Sequence, residues 1–328
     1  MSRKLSPWFL LIAAISAPTL PRAQTASADP VAFPTKPIRV VTTQPGSGFD
    51  VATRMIADGL TASLGQPVIV DNRGGAGGVI AGEIVARAQP DGHTLLSYGP
   101  AIWLVPFMRK NVPYDALKDF SPITLAVTAP NVLVVHPSVA ASSVRELIAL
   151  AKAKPGQLNY GGGNTGSSAH LAAELFKSMA GVNLVHVPYK STAQSLTALL
   201  AGEVQVMFPN ATSVSPHLKS GKLKVLAVTT AAPSPLLPGM PTVAASGLPG
   251  YESSATHGIF APAKTPPAII RRLNQEIVKV LNKPEVREKF ASIGTMVVGS
   301  SPEQLTAAVK QEMESSGKLI KALGIRGD

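Results

Sequence analysis

The chain has 328 residues, 45% of them hydrophobic, and a formal charge of +11 at pH 7. It contains no cysteine, which excludes a disulfide framework and a lipid on an N-terminal cysteine and leaves folding to a hydrophobic core that this length can build. The 30 Lys and Arg residues are spread along the chain instead of forming a stripe, which reads first as a solvated positive surface and second as an aid to an anionic ligand; no nucleic acid is expected.

Ser2-Arg3-Lys4 precede an apolar run over 5–17 and a polar stretch over 18–28, the layout of a secretory signal peptide over 1–28. Ala26-Ser27-Ala28 place small residues ahead of Asp29, the preferred cleavage point, with Ala23 as the alternative. The run is short for a membrane span, and no later segment offers about 18 consecutive apolar residues, so no membrane insertion is expected. Arg3, Lys4 and Arg22 lie in this segment without any acid, so the remainder keeps a charge of +8.

Beyond it, short apolar segments at 38–42, 68–70, 94–98, 131–135, 158–160, 184–187, 204–208 and 224–229 read as strands. Helical spacing marks 50–64, 144–153, 169–180 and 192–201, with Gly65, Gly181 and Gly202 as stops. Strands separated by single helices predict two α/β domains with mostly parallel sheets, in which ligands bind at the carboxyl ends of strands. From 266 on, proline-opened helices at 266–281, 284–293 and 302–323 read as packing.

Two segments repeat one design, an apolar strand, a glycine-rich turn and a helix. The first turn carries Pro45, Gly46, Ser47, Gly48, Phe49 and Asp50; the second carries Gly162, Gly163, Asn164, Thr165, Gly166, Ser167 and Ser168. Each brings backbone N–H groups to a helix start, where the dipole favours an anion, and two such ends together suit a carboxylate. Asp50 is expected to cap the first helix. Gly161, Gly163 and Gly166 fit a dinucleotide pattern, but no acid follows at the spacing a ribose needs, since Glu174 falls in the next helix and Glu203 lies too far on. The glycine run after Asn72-Arg73 reads as a turn, with Arg73 structural.

Enzyme signatures are scarce. The closest pair of the six histidines, His170 and His186, is too far apart for a local metal site, and no serine sits in a nucleophile elbow. No metal and no cofactor are expected. His170, just inside the second helix, and Asn210, at the end of a strand, are candidates for the cleft.

Phe33-Pro34-Thr35-Lys36-Pro37-Ile38, Asp71-Asn72-Arg73, Pro90-Asp91-Gly92-His93-Thr94-Leu95-Leu96, Pro113-Tyr114-Asp115, Val187-Pro188-Tyr189-Lys190 and Leu248-Pro249-Gly250-Tyr251-Glu252 occur in order. With the two loops, they resemble the Bug family of solute receptors, the substrate-binding component of tripartite tricarboxylate transporters. The resemblance implies an α/β type II periplasmic binding protein fold with two lobes joined by crossover strands around a ligand cleft. It also implies a pincer of the two loops on one carboxylate of a small organic ligand, and membrane permease subunits as partners. Ser47, Ser191, Pro209 and Thr256-His257 depart from the family's common pattern where the distal part of a ligand is read.

The expected division is 29–130 plus 255–328 for one lobe and 131–254 for the other. Beyond the loops, the ligand set is expected to include Tyr98, Gly99, His170, Thr192, Asn210 and His257, with Phe49 and Tyr98 as apolar or stacking surface. Gly166→Trp is expected to block a carboxylate while sparing the fold. Two alternatives to a transport receptor are the sensing partner of a membrane kinase and an exported carboxylester hydrolase, the latter lacking a visible nucleophile and base.

Overall fold

A computed structural model of the chain describes Met1 and residues 33–163, 166–217, 220–322 and 324–326. The signal segment predicted over 1–28 and the loop residues Asn164 and Thr165 lie outside the described residues. All described residues from Phe33 onward fall in one compact unit.

Two sheets organise it. The first contains β1 (Ile38–Thr42), β2 (Val68–Asn72), β3 (Thr94–Tyr98), β4 (Phe120–Pro130), β10 (Ser254–Pro262) and β11 (Met296–Val297), in the order β11-β4-β10-β3-β1-β2. The second contains β5 (Val132–Val135), β6 (Asn159–Gly161), β7 (Val185–Val187), β8 (Val206–Met207) and β9 (Lys224–Val228), in the order β7-β6-β8-β5-β9. Around the first sheet pack α1 (Gly48–Leu64), α2 (Val79–Ala86), α3 (Ala101–Leu104), α8 (Pro267–Leu281), α9 (Pro284–Ser292) and α10 (Pro302–Ala322). Around the second pack α4 (Val144–Ala153), α5 (Ser168–Ala180), α6 (Thr192–Ala201) and α7 (Ala211–Val214).

Both sheets are mixed, which corrects the expectation of mostly parallel pairing. β1 pairs in parallel with β2 and β3, and β6 with β7 and β8, whereas β10, β4 and β11 pair antiparallel, as do β5 with β8 and β9. In the first sheet the antiparallel part is due to two long strands, β4, which ends at the passage to the second sheet, and β10, which begins there. A parallel neighbour needs a crossover helix, while these two meet simply by running in opposite directions.

At the passage between the sheets, the Asn131 carbonyl accepts from the Thr229 backbone N–H at 3.0 Å, and Thr229 O accepts from Ser253 N at 2.8 Å. The Thr229 hydroxyl lies 2.7 Å from Asn131 O and 2.6 Å from Ser253 O. Thus the outgoing and returning strands are tied through one buried threonine. The α1 face Ala52, Ile56 and Leu60 packs with Leu273, Ile277 and Val280 of α8 under the first sheet. Gly65 ends α1 in the left-handed conformation, at φ 66°, with its N–H on Thr61 O.

Candidate functional site

Each of three strand–turn–helix units presents a serine-capped helix N-terminus. Ser47 Oγ accepts from Asp50 N at 3.1 Å, Ser167 Oγ from His170 N at 3.3 Å and Ser191 Oγ from Gln194 N at 3.2 Å. The carbonyls of the same three serines take the next N–H groups, of Val51, Leu171 and Ser195. A helix start leaves its first N–H groups without intrahelical partners. Here those of Gly48 and Phe49, of Ser168 and Ala169, and of Thr192 and Ala193 meet no acceptor among the described residues.

The first two units share a further device. In each, the third helical residue reaches back to the glycine before the cap: Asp50 Oδ2 accepts from Gly46 N at 3.0 Å, and His170 Nδ1 from Gly166 N at 3.2 Å. Both glycines have positive φ, 76° and 80°, a conformation that lets the loop fold back on its helix at little steric cost. Asp50 is 3% exposed and is further held by Asn72 Nδ2 at 2.7 Å and Arg54 at 3.1 Å. Its carboxylate is therefore spent on fixing the loop, and the expected cap at Asp50 is corrected: Ser47 caps, and Asp50 sits one turn inside.

Between these helix ends lies a cavity of about 20 Å³, room for roughly one water. It is lined by Thr43, Ser47, Phe49, Tyr98, Pro100, Ala101, Ser167, Ser168, Ser191, Thr192 and Asn210. No lining side chain is charged, so the field is that of backbone dipoles and hydroxyls. The Tyr98 hydroxyl is buried and meets no partner at hydrogen-bond geometry among the described residues, with Thr43 as its polar neighbour. Burial raises its pKa, so it remains a donor. A buried donor without an acceptor is costly unless something occupies the space beside it. A Cβ on Gly48 would come within 2.5 Å of Asn210 Oδ1, and one on Gly46 within 3.9 Å of Ala193 Cβ. The start of α1 thus lies directly against α6 and the cap of α7.

The model of the family described as tripartite tricarboxylate transporter family receptor matches residues 52–325. The chain belongs to that family. Among solved structures, Rpa4515 of R. palustris with adipate is 35% identical, with a TM-score of 0.87, over 90% of this chain and 100% of that one. The periplasmic binding protein BugD is 32% identical, with a TM-score of 0.85, again over 90% of this chain and all of its own. MatC (Rpa3494) of Rhodopseudomonas palustris with bound malate is 28% identical, with a TM-score of 0.83, over 88% of this chain and 100% of that one. The fold is that of these periplasmic binding proteins. Tripartite tricarboxylate transporter receptors bind solutes and are not enzymes, and no helix among the described residues is long and apolar enough to cross a membrane.

For this receptor, the structure brings Ser47, Phe49, Tyr98, Ser167, Ser168, Thr192 and Asn210 onto one cavity. It places other expected contacts elsewhere. Pro45 and Gly46 are exposed at the rim, and Gly99 packs under the Phe49 ring. Gly162 and Gly163 are buried, the first against His186 and His170, the second against Thr192 and Ser167, and Gly166 lies against Met108. Thr43, Pro100, Ala101 and Ser191 line the cavity without having been singled out as contacts. Ser191 was legible as the cap of a third strand–turn–helix unit; the other three sit at strand ends that only the tertiary fold brings round.

Two histidines are corrected. His170 is 4% exposed and stacks on His186, ring centroids 4.6 Å apart, which in turn stacks on Tyr160 at 4.8 Å. It supports the second loop from beneath instead of facing the cleft. Burial, reinforced by His186, lowers its pKa to about 4, so Nδ1 is free to accept the Gly166 N–H at neutral pH. Beside this stack, Glu174 takes the Tyr160 hydroxyl and Lys177 Nζ, the latter at 2.7 Å. Burial opposes its ionisation, but these two bonds hold its pKa below the usual value.

His257 is 0% exposed and lies behind Phe49, ring centroids 4.9 Å apart. Its Nε2 is 2.7 Å from Ser97 Oγ, which is 2.8 Å from Thr53 Oγ1, whose hydroxyl donates to Phe49 O at 2.7 Å. This chain of bonds fixes the first turn of α1. Ser97 is enclosed, and His257 Nδ1 meets no partner among the described residues, so this pair lacks the orienting acid of a hydrolase triad there. Arg73 pairs with Asp71, which also holds Arg39, in line with its structural reading.

Proposed function

We propose that this receptor captures a small organic carboxylate between two lobes, 29–130 plus 255–328 and 131–254. It would do so in the periplasm, after removal of an export segment over 1–28, and pass the ligand to the membrane permease subunits of a tripartite transporter. The observation that carries this is the convergence of three helix N-termini, with six N–H groups that meet no acceptor among the described residues, on a cavity that no charged side chain among those residues lines. Each such end favours an anion by about 0.3–1 kcal/mol when exposed and up to ~2 kcal/mol when partly buried. That relatives of this fold hold adipate and malate supports the same ligand class.

In this reading the contacts are the N–H groups and hydroxyls of Ser47, Gly48, Phe49, Ser167, Ser168, Thr192 and Asn210, with Tyr98 donating its phenol. Asn164 and Thr165 of the second loop belong to the same pincer. The tie at Asn131, Thr229 and Ser253 serves as the hinge. A ligand bridging both lobes stabilises the shut form by its differential affinity, and a shift from 1:99 to 99:1 requires about 5.5 kcal/mol.

Calorimetric titration with adipate and with adipamide tests the anion site, since the two differ in charge but little in shape. Adipate is expected to bind at least 100-fold more tightly, with an affinity constant from pH 7 to 9 because the lining carries no group that titrates there. Equal affinity for the diamide would sink the proposal.

A further inference from the structure

Behind the cleft is a second and larger space. A cavity of about 540 Å³ opens between α5, the start of β10 and the C-terminal helix α10, within the range of small-molecule sites, about 300–1,000 Å³. It shares Ser168 with the cleft but is otherwise lined by different residues. Its apolar wall is Leu171 and Leu175 of α5 and Leu319 of α10, and its charged groups are Glu252 and Glu312. Among the described residues no Lys, Arg or His lines it, although the whole chain carries +11. The sign of this space is thus opposite to that of the molecule.

Glu312 is the informative residue. Trp103 Nε1 and Thr256 Oγ1 both donate to its Oε2, at 3.2 and 3.1 Å, and Oε1 has no partner among the described residues. One oxygen is anchored, so the side chain is held in place, and the other is left to accept. Burial raises its pKa to about 7 against the effect of those two bonds, and no cationic side chain among the described residues lining the cavity pairs with it. A metal ion is not the fitting occupant, because no cluster of three or more His, Asp or Glu side chains suited to a metal occurs among the described residues. Two separate carboxylates with leucines between the helices fit an ammonium head on a short aliphatic chain.

We propose that this cavity is a second ligand site, for a small aliphatic amine whose ammonium group pairs with Glu312 and whose methylenes lie on Leu171, Leu175 and Leu319. The site rests on α10 and β10 and does not depend on the carboxylate reading of the cleft. Because its walls come from elements around both sheets, an occupant contacts the structure on either side of the passage at Ser253.

The test is titration of the mature protein with 1,4-diaminobutane at pH 8 against a sodium chloride background of matched ionic strength. One saturable site is expected, with affinity weakened at least tenfold in Glu312→Gln, which keeps an acceptor for Trp103 and Thr256. Leu319→Trp, which fills the cavity from the α10 side without touching the carboxylate, is expected to weaken it equally. In both variants the response to adipate serves as the check on folding and stays as in the parent protein. Absence of saturable binding in the parent, or unchanged affinity in both variants, overturns the site. Neither result would bear on the cleft, which the adipate arm reports separately.

Discussion

Replacing Gly48 by leucine is expected to weaken carboxylate binding at least 100-fold, about 2.7 kcal/mol, while leaving the melting temperature of the ligand-free protein nearly unchanged. A Cβ at this position would stand 2.5 Å from Asn210 Oδ1 and 2.8 Å from its Nδ2. Asn210 cannot step aside cheaply, because Oδ1 caps α7 by accepting from Ser213 N at 2.9 Å and Ser213 Oγ at 2.8 Å. The clash exists only when the start of α1 meets the start of α7. In the proposed open form the leucine would be a first-turn helical residue facing solvent, where it is favoured over glycine by up to about 1 kcal/mol. Calorimetry and thermal melting on the same variant separate the two effects. Retained affinity would show that the ligand does not require this approach.

Gly166→Trp, the blocking variant that the sequence suggests, is a poorer instrument than it looks. Gly166 has φ 80°, and a Cβ there would lie 2.5 Å from Met108 Cε, so the substitution strains the backbone and the packing together. Gly48 is spared the backbone strain, since its φ is not positive, and its clash is confined to Asn210 at the start of α7.

Acidification from pH 7 to about 4.5 is expected to remove on the order of 5 kcal/mol of stability, with His170 and His257 as the main cause. Burial lowers the pKa of His257 to about 3 and that of His170 to about 4, both from an ordinary value of 6.5. Above pH 6.5 both are neutral in the folded and unfolded chain and contribute no pH dependence. Between 6.5 and the folded values, the unfolded chain takes up protons that the folded one refuses, so stability falls by about 1.4 kcal/mol per pH unit for each histidine. The fall levels off below pH 4 for His170 and below 3 for His257. Urea midpoints across pH 7 to 4.5 measure the slope, and His257→Gln is expected to remove about half of it. An unchanged slope in that variant would mean that the ring is not neutral and enclosed as described.

Much of the cleft was legible because its chemistry is local. A strand, a glycine with positive φ, a serine and a helix can be read from adjacent residues, and the two loops so read lie on one cavity. What the loops do internally was less legible: an aspartate at a helix start looks like a cap, yet Ser47 is one turn earlier and takes that role, freeing Asp50 to bind Gly46, Asn72 and Arg54. His170 repeats the pattern in the second loop, and polar identity alone could not distinguish a residue under the loop from one above it. His257 was misplaced for a different reason. It lies on β10, whose pairing with β3 and β4 decides which face is inside.

The same long-range pairing accounts for the strands that escaped. β4 carries Pro122 and Pro130, and β10 carries Gly258 and Pro262, residues that weaken any local strand signal. Their partner is each other, 124 or more residues apart in sequence at the Ser254↔Pro130 pair. The predicted helices, by contrast, were placed to within two residues at each end, since 3.6-residue spacing is a property of one segment, whereas α3 and α7, four residues each, are too short to show it.

The central claim, a carboxylate held by helix N-termini, is tested most directly by melting. The mature protein is denatured and refolded to strip any retained ligand, then melted with mono- and dicarboxylates, acidic amino acids, sugars and nucleotides. A ligand at about 1,000 times its dissociation constant stabilises by ~4.1 kcal/mol, a shift of several degrees. Only carboxylates are expected to raise the midpoint. A rise with sugars or nucleotides, and none with carboxylates, would contradict it.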